Sequence, residues 1–264
     1  MWPVRSILLV GVLTACASMP AASVSRPVAR RLPGATRWES QRVGPAQVFY
    51  QAGTPAARQA RALADSVRVA YAHDWSLLGQ PRIVRPLELV FVQSPDEVRQ
   101  LAGRAATGLA LPATQQAFFV VTATRLPALR HELMHLLAYQ AWGPPAAPGT
   151  WLVEGLAIYA DGAQCRHVPL LSLAASLREA NQLLPVPTLA TQFDTVYDVR
   201  AYLEAGSVVE FVYEHYGRRQ LEALWHHGLV PGDSVLAAWY AAVGAAPAPA
   251  WTPTLAAITG AGCD

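Results

Sequence analysis

Lysine is absent from this 264-residue chain; all 20 basic residues are arginine. Beside 21 prolines and abundant alanine, that absence reflects genome bias more than chemistry. Charge of either sign is scarce: charged residues make up 14% and the formal net charge is +2. So small a balance gives no case for a nucleic-acid partner, and no basic patch interleaved with aromatics is present. There is no glycine-rich phosphate loop and no internal repeat. The apolar run at 7–13 is far shorter than the roughly 20 residues needed to cross a bilayer. What the chain has is apolar mass: 53% of its residues are hydrophobic. That is enough to bury a sizeable core, in one large domain or two small ones, and it excludes disorder of the whole chain.

The N-terminus has the layout of a signal peptide over residues 1–15, with one charge, Arg5, before the apolar run. Leu13-Thr14-Ala15-Cys16 resembles the bacterial lipoprotein signal. That resemblance implies cleavage before Cys16, lipidation of its thiol, and, with Ala17 following, an outer-membrane address facing the periplasm. An ordinary signal peptide with an incidental Cys16 is the other reading. Residues 16–37, rich in Ala, Ser, Pro and Arg, read as a flexible tether, and 38–264 as the folded domain. Cys165 and Cys263 remain. As a disulfide in an exported protein they would close a loop of 263 − 165 = 98 residues. In the chain-entropy model such a loop is worth up to ~4–5 kcal/mol. Two buried free thiols are the alternative.

Periodicity places strands at 47–50, 87–92 and 117–122, the second rich in β-branched and aromatic residues. Helices are expected over 55–78, from Ser94-Pro95-Asp96-Glu97 to about Ala102, from 124–127 to just before Gly143, and from Trp151 to about Asp161, capped by Thr150. Residues 103–116 read as a loop or hairpin. Beyond Asp161 only helices are expected: 170–184, 198–216, 218–227, 233–243 and 253–258. This is an α+β order, with a small mixed strand/helix lobe followed by a helical lobe. The helix beginning near 124–127 stands at their junction, where ligand clefts tend to form.

That junction helix carries His131-Glu-Leu-Met-His135, an H-E-x-x-H motif. Its histidines stand four apart, on one helical face. Two neutral imidazoles so placed can grip one Zn²⁺ at roughly 2.0–2.1 Å each. Glu132 can serve as general base towards a zinc-bound water. A catalytic zinc needs a third protein ligand and one open position. Glu154 is the best candidate. Residues 136–153, eighteen in all, let the first helix end, the Pro/Gly loop turn, and a second helix return its carboxylate. As a bland alternative, Glu154 is a first-turn acid favoured by the helix dipole.

Trp151-Leu-Val-Glu154-Gly-Leu-Ala157 resembles the W-L-x-E-G-x-A block of the gluzincins, the thermolysin-like clan of zinc peptidases. It is closest to the block of the zinc aminopeptidases and of smaller peptidase MA-like domains, and the spacing from His135 also matches theirs. The resemblance implies a thermolysin-like fold with zinc held by His131, His135 and Glu154. It also implies an oxyanion-stabilising tyrosine near the start of a later helix, where Tyr202 stands. Packing is the other role open to Tyr202, and Tyr197 is the alternative donor.

The sequence departs from the family at two points. The aminopeptidase strand before the zinc helix carries a glutamate for the substrate's amino group. The corresponding residues 108–121 hold no acid, and Gln115 and Gln116 are the nearest analogues. Charge pairing with an ammonium is therefore missing there, which favours internal cleavage or a narrow partner over amino-terminal trimming. The thermolysin-type aspartate four residues after the ligand glutamate is replaced by Ile158. Asp161, seven after it, is placed to orient His131 or His135, or else is an exposed helix-end acid. His167, His215, His226 and His227 read as bland. The expectation is an exported, lipid-anchored zinc peptidase acting on peptide or protein substrates in the bacterial envelope. The rivals are an inactive zinc-stabilised scaffold of the same fold and an accidental motif that binds no metal.

Overall fold

The structure is a computed structural model. It describes residues 37–123, 127, 129–162, 168–196, 199–229 and 234–249. The fold is α+β, with 61% of the described residues helical and 14% in strands.

Five strands form one sheet in the order β1-β2-β3-β5-β4. They are β1 (Trp38–Val43), β2 (Ala46–Gln51), β3 (Leu87–Val92), β4 (Gly108–Leu111) and β5 (Gln116–Val120). β2, β3 and β5 run parallel, while β1 and β4 are antiparallel edges. The near-continuous apolar run of β3 fits a central strand buried on both faces. Side chains alternate across it. Leu89 and Phe91 point into the main core, where Phe91 stacks on Phe119 at 5.2 Å; Val90 and Val92 face a smaller cluster with Val98 of α3 (Pro95–Ala102). Ser94 caps that helix by accepting from Glu97 N–H at 3.3 Å, and Gly103 ends it at φ 84°. Ahead of β3 lie the short α1 (Pro55–Arg58) and the long α2 (Ala60–Leu77), which packs against the helical half.

That half comprises α4 (Leu129–Trp142), α5 (Thr150–Gly162), α6 (Leu170–Glu179), α7 (Val186–Val196), α8 (Val199–Tyr216), α9 (Arg218–His227) and α10 (Ser234–Ala245). The closest helix contact is α5 on α8. A Cβ on Gly155 would lie 2.7 Å from the Ala205 carbonyl oxygen, and one on Gly206 would lie 2.7 Å from Ile158 Cγ2. Mid-helix glycine costs about 0.5–1 kcal/mol relative to alanine. Here it permits an approach that any side chain would block, and it seats Glu154, the neighbour of Gly155, against a rigid wall.

Several boundaries differ from expectation. β1 was not foreseen, because its polar sequence Trp-Glu-Ser-Gln-Arg-Val carries no apolar alternation and needs only one paired edge. The 103–116 segment does form a hairpin strand, β4, followed by a 3-10 turn at Pro112–Thr114. The 170–184 helix stops at Glu179, with Asn181 in the left-handed region at φ 56°. α7 was not expected; Pro187 falls in its first turn, where proline is tolerated. Thr150 is not the cap of α5. The Gly149 carbonyl accepts from Leu152 and Val153, and the Thr150 hydroxyl donates to Asp194 Oδ2 at 3.3 Å. The helix expected at 253–258 lies outside the described residues.

Glu204, fully buried on α8, ties the start of α7 to the core by accepting from Leu184 N–H at 2.9 Å. Burial pushes its pKa up to about 8, against which the Leu184 N–H acts. The folded state therefore keeps a proton that the unfolded chain releases above about pH 4.5, and stability attributable to this group falls as pH rises from there to about 8. Glu204→Gln removes that dependence. Its Tm relative to the parent should move in its favour by at least about 2 °C between pH 5 and pH 8 in thermal denaturation.

Candidate metal centre

α4 has little polar face. Leu133, Met134, Leu136 and Leu137 are buried, as are His131, Glu132 and His135. A helix enclosed all round belongs to the interior, and α4 lies between α2, α5 and the β4–β5 hairpin. α5, entirely buried from Trp151 to Gly162, brings Glu154 to the same place.

Glu154 Oε2 lies 3.3 Å from His131 Nε2 and 3.7 Å from His135 Nε2. The three ligand atoms all fall within 4.8 Å of one another. Tetrahedral ligands about 2.0–2.2 Å from one zinc stand roughly 3.3–3.6 Å apart, so this set fits a zinc ion. The two imidazoles meet edge to face at 4.8 Å. Neither nitrogen of His135 has a hydrogen-bond partner among the described residues, another sign of a site built for an ion.

The electrostatics are those of a buried carboxylate cluster. Burial disfavours a charged His131, but the hydrogen bond it donates to the Glu154 carboxylate and the charges of Glu132, Glu154 and Asp161 outweigh it and raise its pKa to about 9. Burial lowers His135 to about 4, against the pull of Glu154. Burial raises Glu132 to about 7; Glu154 and Asp161 add to that rise, while His131 and the Ala110 N–H oppose it.

That last contact brings in strand β4, which the motif does not announce. The Ala110 N–H donates to the Glu132 carboxylate, and a Cβ on Gly108 would stand 2.5 Å from Glu132 Oε1. Gly108 and Ala110 are the site residues that sequence reasoning missed. Their only trace is a run of small residues in a segment read as loop or hairpin.

Other expected residues fall variously. Tyr202 is buried on α8, its ring 5.0 Å from Phe193 of α7. Asp161 is buried at the end of α5, which corrects the exposed-acid alternative, and its charge reaches His131. Gln115 and Gln116 do not line the centre. Gln140, two turns beyond Glu132 on α4, donates to Gln115 Oε1 at 2.6 Å, and Gln116 donates to Glu88 at 2.8 Å. The first contact ties Gln115 to α4, and the second joins β5 to β3 within the sheet. His215 turns its Nδ1 to the Phe211 carbonyl at 3.0 Å, and His226 and His227 are exposed. Cys16, Cys165, Cys263, His167 and Tyr197 lie outside the described residues.

A model of the Peptidase MA superfamily matches residues 106–246, more than half of the chain, from just before β4 to just past α10. Comparison with curated proteins finds no match.

Metal-free protein titrated with zinc should take up a single ion. His131 must shed a proton to bind, so affinity should rise about tenfold per pH unit between pH 6 and about 9. Glu154→Gln should weaken binding by at least about 100-fold in competition with a chromophoric chelator.

Proposed function

The chain belongs to the Peptidase MA superfamily, and from that membership and its three-ligand centre we propose that it is a zinc-dependent peptidase. The observation that carries this reading is the convergence of His131, His135 and Glu154 from two helices on one point, with Glu132 beside them. Zinc held there would polarise a peptide carbonyl and acidify the attacking water. Glu132, pushed up to about 7 by burial, would accept a proton from the attacking water and return it to the leaving amine. The Ala110 N–H fixes the carboxylate that does this. Because β4 is an edge strand, an extended peptide can lie along it and present its carbonyl to the centre. Tyr202 supplies the hydrogen bond to the developing oxyanion.

The lack of an acid in 108–121 favours cleavage within chains over amino-terminal trimming. The signal-like residues 1–15 and Cys16 support export and lipid anchoring in the bacterial envelope, and 16–37 a tether to the domain at 38–264. Among the described residues no helix is long and apolar enough to cross a membrane. A second reading, a zinc-stabilised binding protein without turnover, draws on the depth of the centre: all four residues are buried. Zinc-loaded protein that cleaves no member of a diverse peptide library would select it.

Glu132→Gln should retain zinc and lose about 10²–10⁴-fold in peptide hydrolysis. Gly108→Ala should also retain zinc and lose activity, because its methyl group displaces the Glu132 carboxylate. Full activity in Glu132→Gln refutes the mechanism.

A further inference from the structure

The side-chain amide of Gln140, late on α4, spends its whole hydrogen-bonding capacity on two other segments. Its Oε1 accepts from the Val84 and Arg85 N–H groups at 3.1 and 3.0 Å. Its Nε2 donates to the Arg85 carbonyl at 2.8 Å and to Gln115 Oε1 at 2.6 Å. Two donors face the oxygen and two acceptors the nitrogen, so the amide fits in one orientation only. Gln115, buried, is the corner between β4 and β5. It stands in the left-handed region at φ 60°. Its Nε2 donates to the Pro112 carbonyl at 2.6 Å, and its own carbonyl accepts from Glu88 N–H at 2.9 Å. Arg85 adds a second tie to the same turn, its guanidinium donating to the Ala113 carbonyl at 3.0 Å.

That turn governs where β4 lies. Gln140 stands about 12 Å along the helix from Glu132, in a row of Glu132, Leu136 and Gln140 at i, i+4 and i+8. β4 packs beside this helix. Its far end, Gly108, comes so close that a Cβ there would stand 2.5 Å from Glu132 Oε1. The Thr107 carbonyl accepts from Val120 N–H at 2.8 Å. By the alternation of an antiparallel pair, the Gly108 and Ala110 N–H groups then point away from β5. The Ala110 N–H is the one that reaches the Glu132 carboxylate. β4 has a sheet neighbour on one side only. On the other it is attached to α4 at two points: at Glu132 and, through Gln115, at Gln140. One point lets a strand pivot; two fix its register along the helix.

We propose that Gln140 is a positioning residue for the reaction: through Gln115 it sets the register of β4 against α4, and so places the Ala110 N–H at the Glu132 carboxylate. The proposal rests on the reading of the centre as a peptidase with Glu132 as its base. The three candidate metal ligands lie on α4 and α5, so zinc affinity should not depend on this joint.

The test compares the parent with Gln140→Leu, Gln115→Gly and the double variant. Glycine keeps the left-handed corner while deleting the amide that Gln140 holds. Zinc affinity is read by chelator competition, kcat and KM on a peptide substrate, and the amide exchange of Ala110 against that of α5 by NMR. Gln140→Leu should hold zinc within about 3-fold of the parent. Its kcat per bound zinc should fall about 10–100-fold, with KM raised, because both the base and the strand that would pair the substrate are displaced. Ala110 should exchange at least about 10-fold faster while α5 is unchanged. Gln115→Gly should match these changes, and the double variant should go no further than either single one. Parent-like kcat or parent-like Ala110 exchange in Gln140→Leu overturns the proposal and leaves the peptidase reading standing. Faster exchange in α5 as well as at Ala110, with weakened zinc, shows a merely structural residue and also overturns it. Should Gln140→Leu fail to fold, parent-like kcat and Ala110 exchange in Gln115→Gly overturn it instead. A zinc-loaded parent that cleaves no peptide refutes the peptidase reading itself, and this proposal with it.

Discussion

A carboxylate shut away from water must be met by positive charge, and Glu154, 0% exposed, imposes that condition on the centre of this protein. Two imidazoles stand within 3.7 Å of it. Without a metal, the condition is met by holding a proton on His131 well above its ordinary pKa. With a dication both histidines are free to be neutral ligands. Around Glu154, α4 packs on α5, with α2 against α4 and α8 against α5.

The packing makes the site rigid through small residues. Gly155 and Gly206 let α5 and α8 touch backbone to side chain, so the helix that carries Glu154 has no slack towards α8. Gly108 does the same on the other flank, letting an edge strand press against Glu132. Glu132 is thus held between a helix and an edge strand, where its carboxylate receives the Ala110 N–H.

Much of this was legible beforehand. The H-E-x-x-H spacing places two histidines on one helical face by geometry alone, and the Trp151–Ala157 block marks the returning carboxylate; the structure brings His131, His135 and Glu154 together. The apolar strand 87–92 and the Ser94 cap were equally readable, because each signal is local. α7 and β1 were not. Pro187 looks like a breaker until it falls in a first helical turn, and the polar β1 owes its strand state to pairing with β2. Gln115 and Gln116 looked like distant analogues of a substrate-binding acid; Gln115, just ahead of β5, bonds Gln140, and Gln116, its first residue, bonds Glu88.

By itself the sequence marked the candidate metal site: two imidazoles at helical spacing with a carboxylate between them, a second carboxylate after eighteen intervening residues, and no acid in 108–121. These follow from residue identity and short-range periodicity. Only the tertiary structure decided what surrounds that site: that β4 reaches Glu132 through Gly108 and Ala110, and that Asp161 is buried at the end of α5. No periodicity records such meetings. They arise because packing several helices and a strand edge around one buried charge leaves each of these residues a single place to go.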